Sequence, residues 1–278
     1  LPTTPCSPPG TDGDGSPFIG VDNLANYFVA MNHAMGSDIY HYDESGTMVP
    51  DLDEGIIEKL FLNYYEPFTK GYYGAKGRYR SDDVKQSYLA GCIGSSSSVL
   101  YFPEEVADSQ GNMVPVTTGV YQYPVMEGTT PTAIQQGAGV AVFNRSDEEN
   151  RAALDFIRWL TIDKGFELAA SMSYMPVDHN GMTEEQKQQI DDARVLNGIE
   201  TGLKQSNSYQ MVYGFDFENS YDVRTGVDAC FGEALSQGRM EFEEYLARGM
   251  SMDEAAASMD YGSKAEAFYE QVKAIFEE

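Results

Sequence analysis

Histidine and cysteine, which carry much of metal and nucleophilic chemistry, are scarce here: three of each in 278 residues. His33, His41 and His179 show no metal-ligand spacing such as HExxH. Cys6, Cys92 and Cys230 are odd in number and widely separated, with no CxxC pair and no dense disulfide framework. No GxSxG elbow is present, and the serine run Ser95–Ser98 has no base candidate beside it. The same run lacks the lysine of a phosphate-binding loop. The chemistry of a catalyst, a metal or a bound cofactor is thus not written in any specific motif, and none is expected.

Basic residues are few as well. Eighteen Lys and Arg face 44 Asp and Glu, a formal charge of −26, which excludes a nucleic-acid partner held by clustered cations. Acidic pairs such as Asp82-Asp83 and Asp191-Asp192 fall on polar helical stretches, where a solvated face is the default. No apolar run approaches the roughly eighteen residues of a membrane span. The first twenty residues have neither the charged start nor the apolar middle of a signal peptide, so the chain is expected to be mature or cut from something longer. Residues 1–17 are rich in Pro, Gly, Thr and Asp, the chemistry of a loop. Asp12 and Asp14 alone do not make a calcium loop.

Aromatic and apolar residues are abundant, at 12% and 42%, enough for a sizeable core. Nineteen Tyr against one Trp points to rings with a polar edge, as in carbohydrate or polar-ligand sites. Helical spacing is frequent. Leu24, Phe28, Met31 and Met35 predict a helix from Asn23; Ile56, Ile57, Leu60 and Tyr64 predict another, ended by Pro67. Ser81 is expected to cap a helix carrying Val84 and Tyr88. Residues 40–49 read as a hairpin turning at Glu44-Ser45-Gly46. Val114–Val125 alternates like a strand kinked at Tyr123-Pro124, and Gly139–Phe143 (GVAVF) reads as a strand buried in a mostly parallel sheet. Three capping boxes follow, Ser146/Glu149, Thr183/Gln186 and Ser251/Glu254. The first opens a helix with Ala153, Phe156, Ile157 and Leu160 on one face, followed by a second from Asp163 through Phe166 and Ala169. The Thr183 box opens a polar helix to about Gly198. Val223, Val227, Phe231 and Ala234, then Ala265, Phe268, Val272 and Ile275, mark the last helices. Helices with two sheet-forming stretches and no internal repeat argue an α/β fold.

The order of these pieces is informative. A Ser/Gly turn at 94–98, a strand ending Tyr123-Pro124, a glycine turn with GVAVF, the helix ALDFIRWLT and the loop SMSYMPV resemble the extracellular solute-binding proteins of ABC importers. The earlier YDESGTMVPDLDEGIIEKLFLNYY and the later NSYDVRTGVDACFGEALSQG are similar to that family's hairpin-plus-helix and late helix. The resemblance covers 18–260 and is strongest to glycerol-3-phosphate-binding proteins. It implies a type II periplasmic-binding-protein-like, helix-rich α/β fold. It also implies a bacterial protein, extracellular or periplasmic, cell-surface anchored as a lipoprotein or free. Such a protein binds a small polar solute (a sugar, oligosaccharide or glycerol-phosphate compound) between two lobes and delivers it to permease subunits. Residues 1–124 and 177–278 correspond to the C-terminal lobe, and 125–176 to a segment returning to an N-terminal lobe whose first βαβ units have no counterpart here. A carbohydrate-active enzyme or lectin-like module is the competing reading, favoured by aromatic and acidic richness.

Carried over residue by residue, the resemblance nominates Phe18, Ser96, Ser97, Gly137, Tyr174 and Arg224 as ligand-binding. Gln136 and Ser173 stand where the family has glycine, and Phe18 where it places a stacking Trp. Arg224 suits a phosphate, carboxylate or sugar hydroxyl; paired with Asp222 or Asp228 it would be an ordinary surface cation. Ser96 and Ser97 suit the same oxygens, or simply bond their own turn. Tyr174 suits stacking on an apolar sugar face. Gly137 permits close backbone approach or only a turn, and Phe18 is a ligand contact or a core residue.

Overall fold

A computed structural model describes residues 17–107, 110–176 and 181–277. The architecture is mixed α/β, about 53% helical, with small sheets. Among the described residues all sheets are two-stranded. The chain divides into two compact units. One combines the described residues up to Gly94 with Val125–Ile134 and the chain from Gln210 onward; the other combines Ser95–Pro124 with Gln135–Tyr209. Both expected segments, 1–124 with 177–278 and 125–176, are therefore shared between the two units, and the chain passes from one to the other four times, at 94/95, 124/125, 134/135 and 209/210.

In chain order, β1 (Ile19–Val21) leads into α1 (Leu24–Ala34), whose start is fixed by the Asn23 side chain accepting from the Asn26 N–H. β2 (Ile39–Tyr42) and β3 (Met48–Asp51) form the expected hairpin. Asp43 holds its turn by accepting from the Ser45 and Thr47 amides. α2 (Glu54–Thr69) starts at Asp53, which accepts from the Ile56 N–H. It runs two residues past Pro67 instead of ending there, because Phe68 and Thr69 are buried and the Arg239 guanidinium takes the carbonyls of both. α3 (Arg80–Lys85) begins one residue before the expected cap Ser81, with no side chain of its own as cap. Asp22 supplies that function from a distance, accepting the Arg80 N–H at 2.9 Å. β4 (Gly91–Ile93) pairs parallel to β1, and a 3-10 turn spans Ser96–Tyr101.

β5 (Glu105–Ala107) and β6 (Met113–Pro115) form a short antiparallel pair. The strand expected over 114–125 goes no further than β6: past the Val116 N–H, which donates to the Glu104 carbonyl, side chains take the place of a strand, with Gln205 Oε1 accepting from the Tyr123 N–H at 2.6 Å and the Tyr209 hydroxyl donating to the Tyr123 carbonyl at 2.8 Å. β7 (Thr132–Ile134) pairs parallel to β8 (Gln210–Val212). Between them come α4 (Asp147–Arg158), a wide π-type turn at Trp159–Asp163, α5 (Gly165–Met172), α6 (Glu184–Lys187) and α7 (Ala193–Ser208). The single polar helix expected from Thr183 to Gly198 is broken between α6 and α7. Asp192 caps the new start by accepting from the Arg194 N–H. α8 (Ser220–Ala247), α9 (Met252–Ser258) and α10 (Tyr261–Glu277) close the chain.

The first unit has a dense aromatic core where α1, α2, α8 and α10 meet. Phe61 stacks on Phe268 with ring centroids 4.3 Å apart and on Tyr65 at 4.7 Å, while Phe231 meets Phe268 edge-on at 4.7 Å. Such pairs add about 0.5–1.5 kcal/mol each beyond burial. Gly238 in α8 makes room for Tyr65, since a Cβ there would fall inside the ring's envelope.

In the second unit the Ser96–Tyr101 turn packs on α7, which buries Val195, Gly198 and Ile199. Arg194 ties the layer together through Asp192, Glu104 and the Phe102 carbonyl. GVAVF is not a strand here: it pairs with no strand among the described residues, and Phe143 is 81% exposed. α4 is amphipathic yet buries no side chain, leaving Leu154 and Phe156 in solvent. A strand needs a neighbour to take its N–H and C=O groups, and no described segment offers one.

Candidate functional site

The nominated residues fall in both units, and each group has its own geometry. Phe18, Arg224 and the start of α1 belong to the first. The Phe18 backbone is fixed on both sides, donating to the Tyr72 carbonyl and accepting from the Ala90 and Gly91 amides. Its ring is nonetheless 58% exposed. The core alternative for Phe18 is therefore not realised. After β1 the chain turns through Asp22 into α1, whose first amides, Leu24 and Ala25, donate to Asp228 Oδ1 at 2.9 and 3.2 Å. A carboxylate at a helix N-terminus satisfies orphan donors and meets the positive end of the helix dipole. One oxygen of Asp228, Oδ1, is thus taken by α1.

Arg224 lies one turn before Asp228 on α8. Its Nη2 donates to Asn26 Oδ1 at 3.2 Å, and among the described residues it forms no ion pair with Asp222, Asp228 or any other carboxylate. This half-buried guanidinium, which carries five N–H donors in a planar fork, is engaged among the described residues by one neutral side-chain amide and by no carboxylate. At the same end of α8, Asn219 sits in left-handed backbone, contributes no side-chain cap, and is followed by the exposed ring of Tyr221.

The second unit holds Ser96, Ser97, Gly137 and Tyr174. Ser95 caps the 3-10 turn, its Oγ 3.0 Å from the Ser97 hydroxyl. Ser97 is therefore engaged within the turn. The Ser96 hydroxyl donates to the Ser173 carbonyl at 2.9 Å, joining the serine turn to the residue just before Tyr174. Ser173 ends α5 in left-handed backbone at φ 53°, and the Tyr174 N–H donates to the Ala169 carbonyl at 2.9 Å. This is a helix ending that usually calls for glycine. The Ser173 side chain is fully buried against Gly198, and its hydroxyl has no partner among the described residues. Tyr174 keeps its ring partly exposed. Gly137 stands apart: its φ is not positive, and no atom lies within 4 Å of where a Cβ would be. The turn therefore does not require glycine through a positive φ, and the space beside the Gly137 backbone is open; the structure brings Ser96 and Tyr174 together.

The remaining chemistry is quiet. Burial pushes the Cys92 thiol up to about 12 and the Cys230 thiol up to about 11, so neither is a thiolate at neutral pH. Cys6, His179 and Val177, and the Asp12 and Asp14 pair, lie outside the described residues. Among those described, no three His, Cys, Asp or Glu side chains are grouped to hold a metal, and no helix is long and apolar enough to cross a membrane. Sequence reasoning missed one constellation: Tyr40 and Tyr42 bonded to Asp216 beside an open cavity. Tyrosines two apart on a predicted hairpin share a face, which was the available signal; their carboxylate partner is too distant in sequence to be read.

No protein-family model, curated protein or solved structure matches the chain.

Proposed function

We propose that this chain belongs to the solute-binding component of an ABC importer, working outside the cytoplasmic membrane and delivering its cargo to permease subunits there. Its ligand is a small polar solute carrying an anionic or hydroxyl-rich head, in the class of sugars and glycerol-phosphate compounds. The observation that carries this reading is Arg224. In a chain with 44 acidic and 18 basic residues, this half-buried cation has only a neutral amide as hydrogen-bond partner among the described residues, while the adjacent carboxylate of Asp228 is bonded to the start of α1. An arginine left available beside a helix start suits recognition of phosphate or vicinal hydroxyls. In the other unit, Ser96 and Tyr174 supply a hydroxyl turn and a partly open ring.

Two further features support a type II periplasmic-binding-protein-like fold. Each unit is assembled from non-consecutive segments, as expected of lobes between which the chain crosses repeatedly. Ser173 adopts the left-handed backbone at the position where the family pattern has glycine. The exposed apolar side chains spread between Val140 and Ile162 fit a returning segment whose lobe is completed by further βαβ units.

The test is calorimetry of the full polypeptide against sugars, polyols and glycerophosphodiesters, with Arg224→Ala beside the parent. A charge-assisted pair is worth about 1.5–3 kcal/mol, so the variant should lose about ten- to a hundredfold in affinity for a phosphorylated ligand. Phosphorylated ligands binding no better than neutral sugars would remove the glycerol-phosphate assignment. An unchanged affinity for every ligand in Arg224→Ala would remove Arg224 from the site.

A further inference from the structure

The first unit contains a second constellation that uses neither Arg224 nor the serine turn. Where β2, α1 and the segment after β8 come together there is an open cavity of about 260 Å³, just under the size range of drug-sized ligand pockets, roughly 300–1,000 Å³. Tyr40 and Tyr42 project from the same face of β2. Both donate to one oxygen of Asp216, Oδ1, at 2.5 and 3.1 Å. The other oxygen of Asp216 receives no hydrogen bond among the described residues. A carboxylate fixed by two phenols through one oxygen keeps its second oxygen for something else.

The walls are aromatic. Tyr40 meets Tyr42 edge-on at 6.0 Å and 89°, and meets Phe215 at 6.3 Å and 68°. The exposed ring of Tyr213 adds a further aromatic surface. Perpendicular rings present faces toward a common space, and ring faces attract positive charge. The charges agree in sign. Asp216 and Asp38 line the cavity, and no lysine or arginine does. His33, facing Asp38 at 3.4 Å, is held below its ordinary pKa mainly by burial, so it is neutral at pH 7. Between Asp38 and Tyr40, the fully buried Ile39 has φ 72°, a left-handed backbone that a β-branched residue rarely takes. A phosphate or carboxylate would meet repulsion here, and a neutral polyol would find one carboxylate oxygen and few donors.

We propose that this cavity is a binding site for a small organic cation, an alkylammonium head group that packs against Tyr42, Tyr213 and Phe215 while its charge faces the open oxygen of Asp216. The probe pair is choline and 3,3-dimethylbutan-1-ol, which replaces the quaternary nitrogen by carbon at nearly the same shape. Calorimetry at low ionic strength, with saturation-transfer NMR on the methyl protons, reads both. Choline should bind the parent protein at least about tenfold more tightly than the neutral isostere, and Asp216→Asn should remove about tenfold of that affinity. Tyr213→Leu, at an exposed position, should weaken choline with the circular dichroism spectrum unchanged. Equal binding of the two probes, no saturation transfer at millimolar choline, or undiminished choline affinity in Asp216→Asn would each overturn the assignment. The comparison of probes on the parent protein stands even if a variant misfolds. Failure here leaves the importer reading untouched, because that reading is tested with different ligands at Arg224.

Discussion

Replacing Asp83 by alanine should be among the most damaging single changes in the first unit. Asp83 is fully buried, and its Oδ2 lies 2.8 Å from Nη1 of Arg80, itself only 5% exposed. The contact is ionic rather than an aligned hydrogen bond, since Nη1 has no partner in hydrogen-bond geometry. The carboxylate also accepts from the Lys76 and Gly77 amides at 3.0 and 2.7 Å. Truncation leaves a buried guanidinium with no counter-charge, which costs about 3–5 kcal/mol. Two orphaned amides add about 1–3 kcal/mol each where water cannot reach them. A loss of about 4 kcal/mol or more is therefore expected, a large part of the ~5–15 kcal/mol that holds a domain together.

The double variant Arg80→Met/Asp83→Leu separates the two contributions. It removes both charges and still orphans the amides, so it should be less destabilised than Asp83→Ala, with a coupling of about 1–3 kcal/mol. Urea unfolding followed by circular dichroism gives the midpoints, and amide exchange over 70–95 shows whether the loop opens first. A shift under about 1 kcal/mol for Asp83→Ala would refute the reasoning, because it would mean that water reaches the pair. The effect should extend to the candidate site. The Arg80 amide holds Asp22, which sets the turn into α1, and α1 carries the Asn26 that positions Arg224.

Two other outcomes follow from burial and exposure. Burial pushes the Tyr64 phenol up to about 12 from an ordinary value near 10, so its neutral form belongs to the folded state. Its contribution is fully present below pH 10 and is lost as pH rises through about 12; phenolate absorbance should show some of the nineteen tyrosines ionising only together with loss of structure, and a smooth titration without unfolding would contradict this. The single tryptophan, Trp159, is 46% exposed on the uncovered apolar side of the second unit. Its emission should be solvent-like and readily quenched by iodide, and a buried-type, quencher-resistant spectrum would show that another surface covers it.

What was legible in the sequence was mostly local. All three capping boxes form as spelled, because the reciprocal bonds of Ser146/Glu149, Thr183/Gln186 and Ser251/Glu254 span three residues. The middles of the apolar stripes bury as their spacing demands, Phe28 and Met31 in α1, Val223, Val227 and Phe231 in α8, and Ala265, Phe268 and Val272 in α10, while Leu24, Met35, Ala234 and Ile275 are half-buried. Misreadings arise where a distant group replaces a local signal. Ser81 does not cap α3 because Asp22 does so; Pro67 does not end α2 because Arg239 binds the carbonyls beyond it. GVAVF has the composition of a buried strand, but composition cannot supply the neighbouring strand that its backbone requires. At the candidate site the limit is the same. The pairing of Arg224 with Asp228 is allowed by spacing on one helix, and only the fold shows Asp228 Oδ1 accepting from the amides of another and Arg224 turned to Asn26.

Ser173 offers a test in which structural and functional roles predict opposite signs. It holds left-handed backbone at φ 53°, where a side chain costs about 1 kcal/mol relative to glycine. It also buries a hydroxyl that has no partner among the described residues, worth a further 1–3 kcal/mol or so. On structure alone Ser173→Gly should stabilise the second unit by about 1–2 kcal/mol, allowing for the greater entropy of an unfolded glycine. The carbonyl that accepts from Ser96 is unchanged by the substitution, so the serine turn and Tyr174 should stay in place. A gain in thermal stability with unchanged ligand affinity would identify the serine as strain without purpose. A loss of stability would show instead that its hydroxyl is satisfied in solution. If affinity fell while stability rose, the strain at Ser173 would belong to the binding site, holding the Tyr174 loop in its geometry at the expense of the fold.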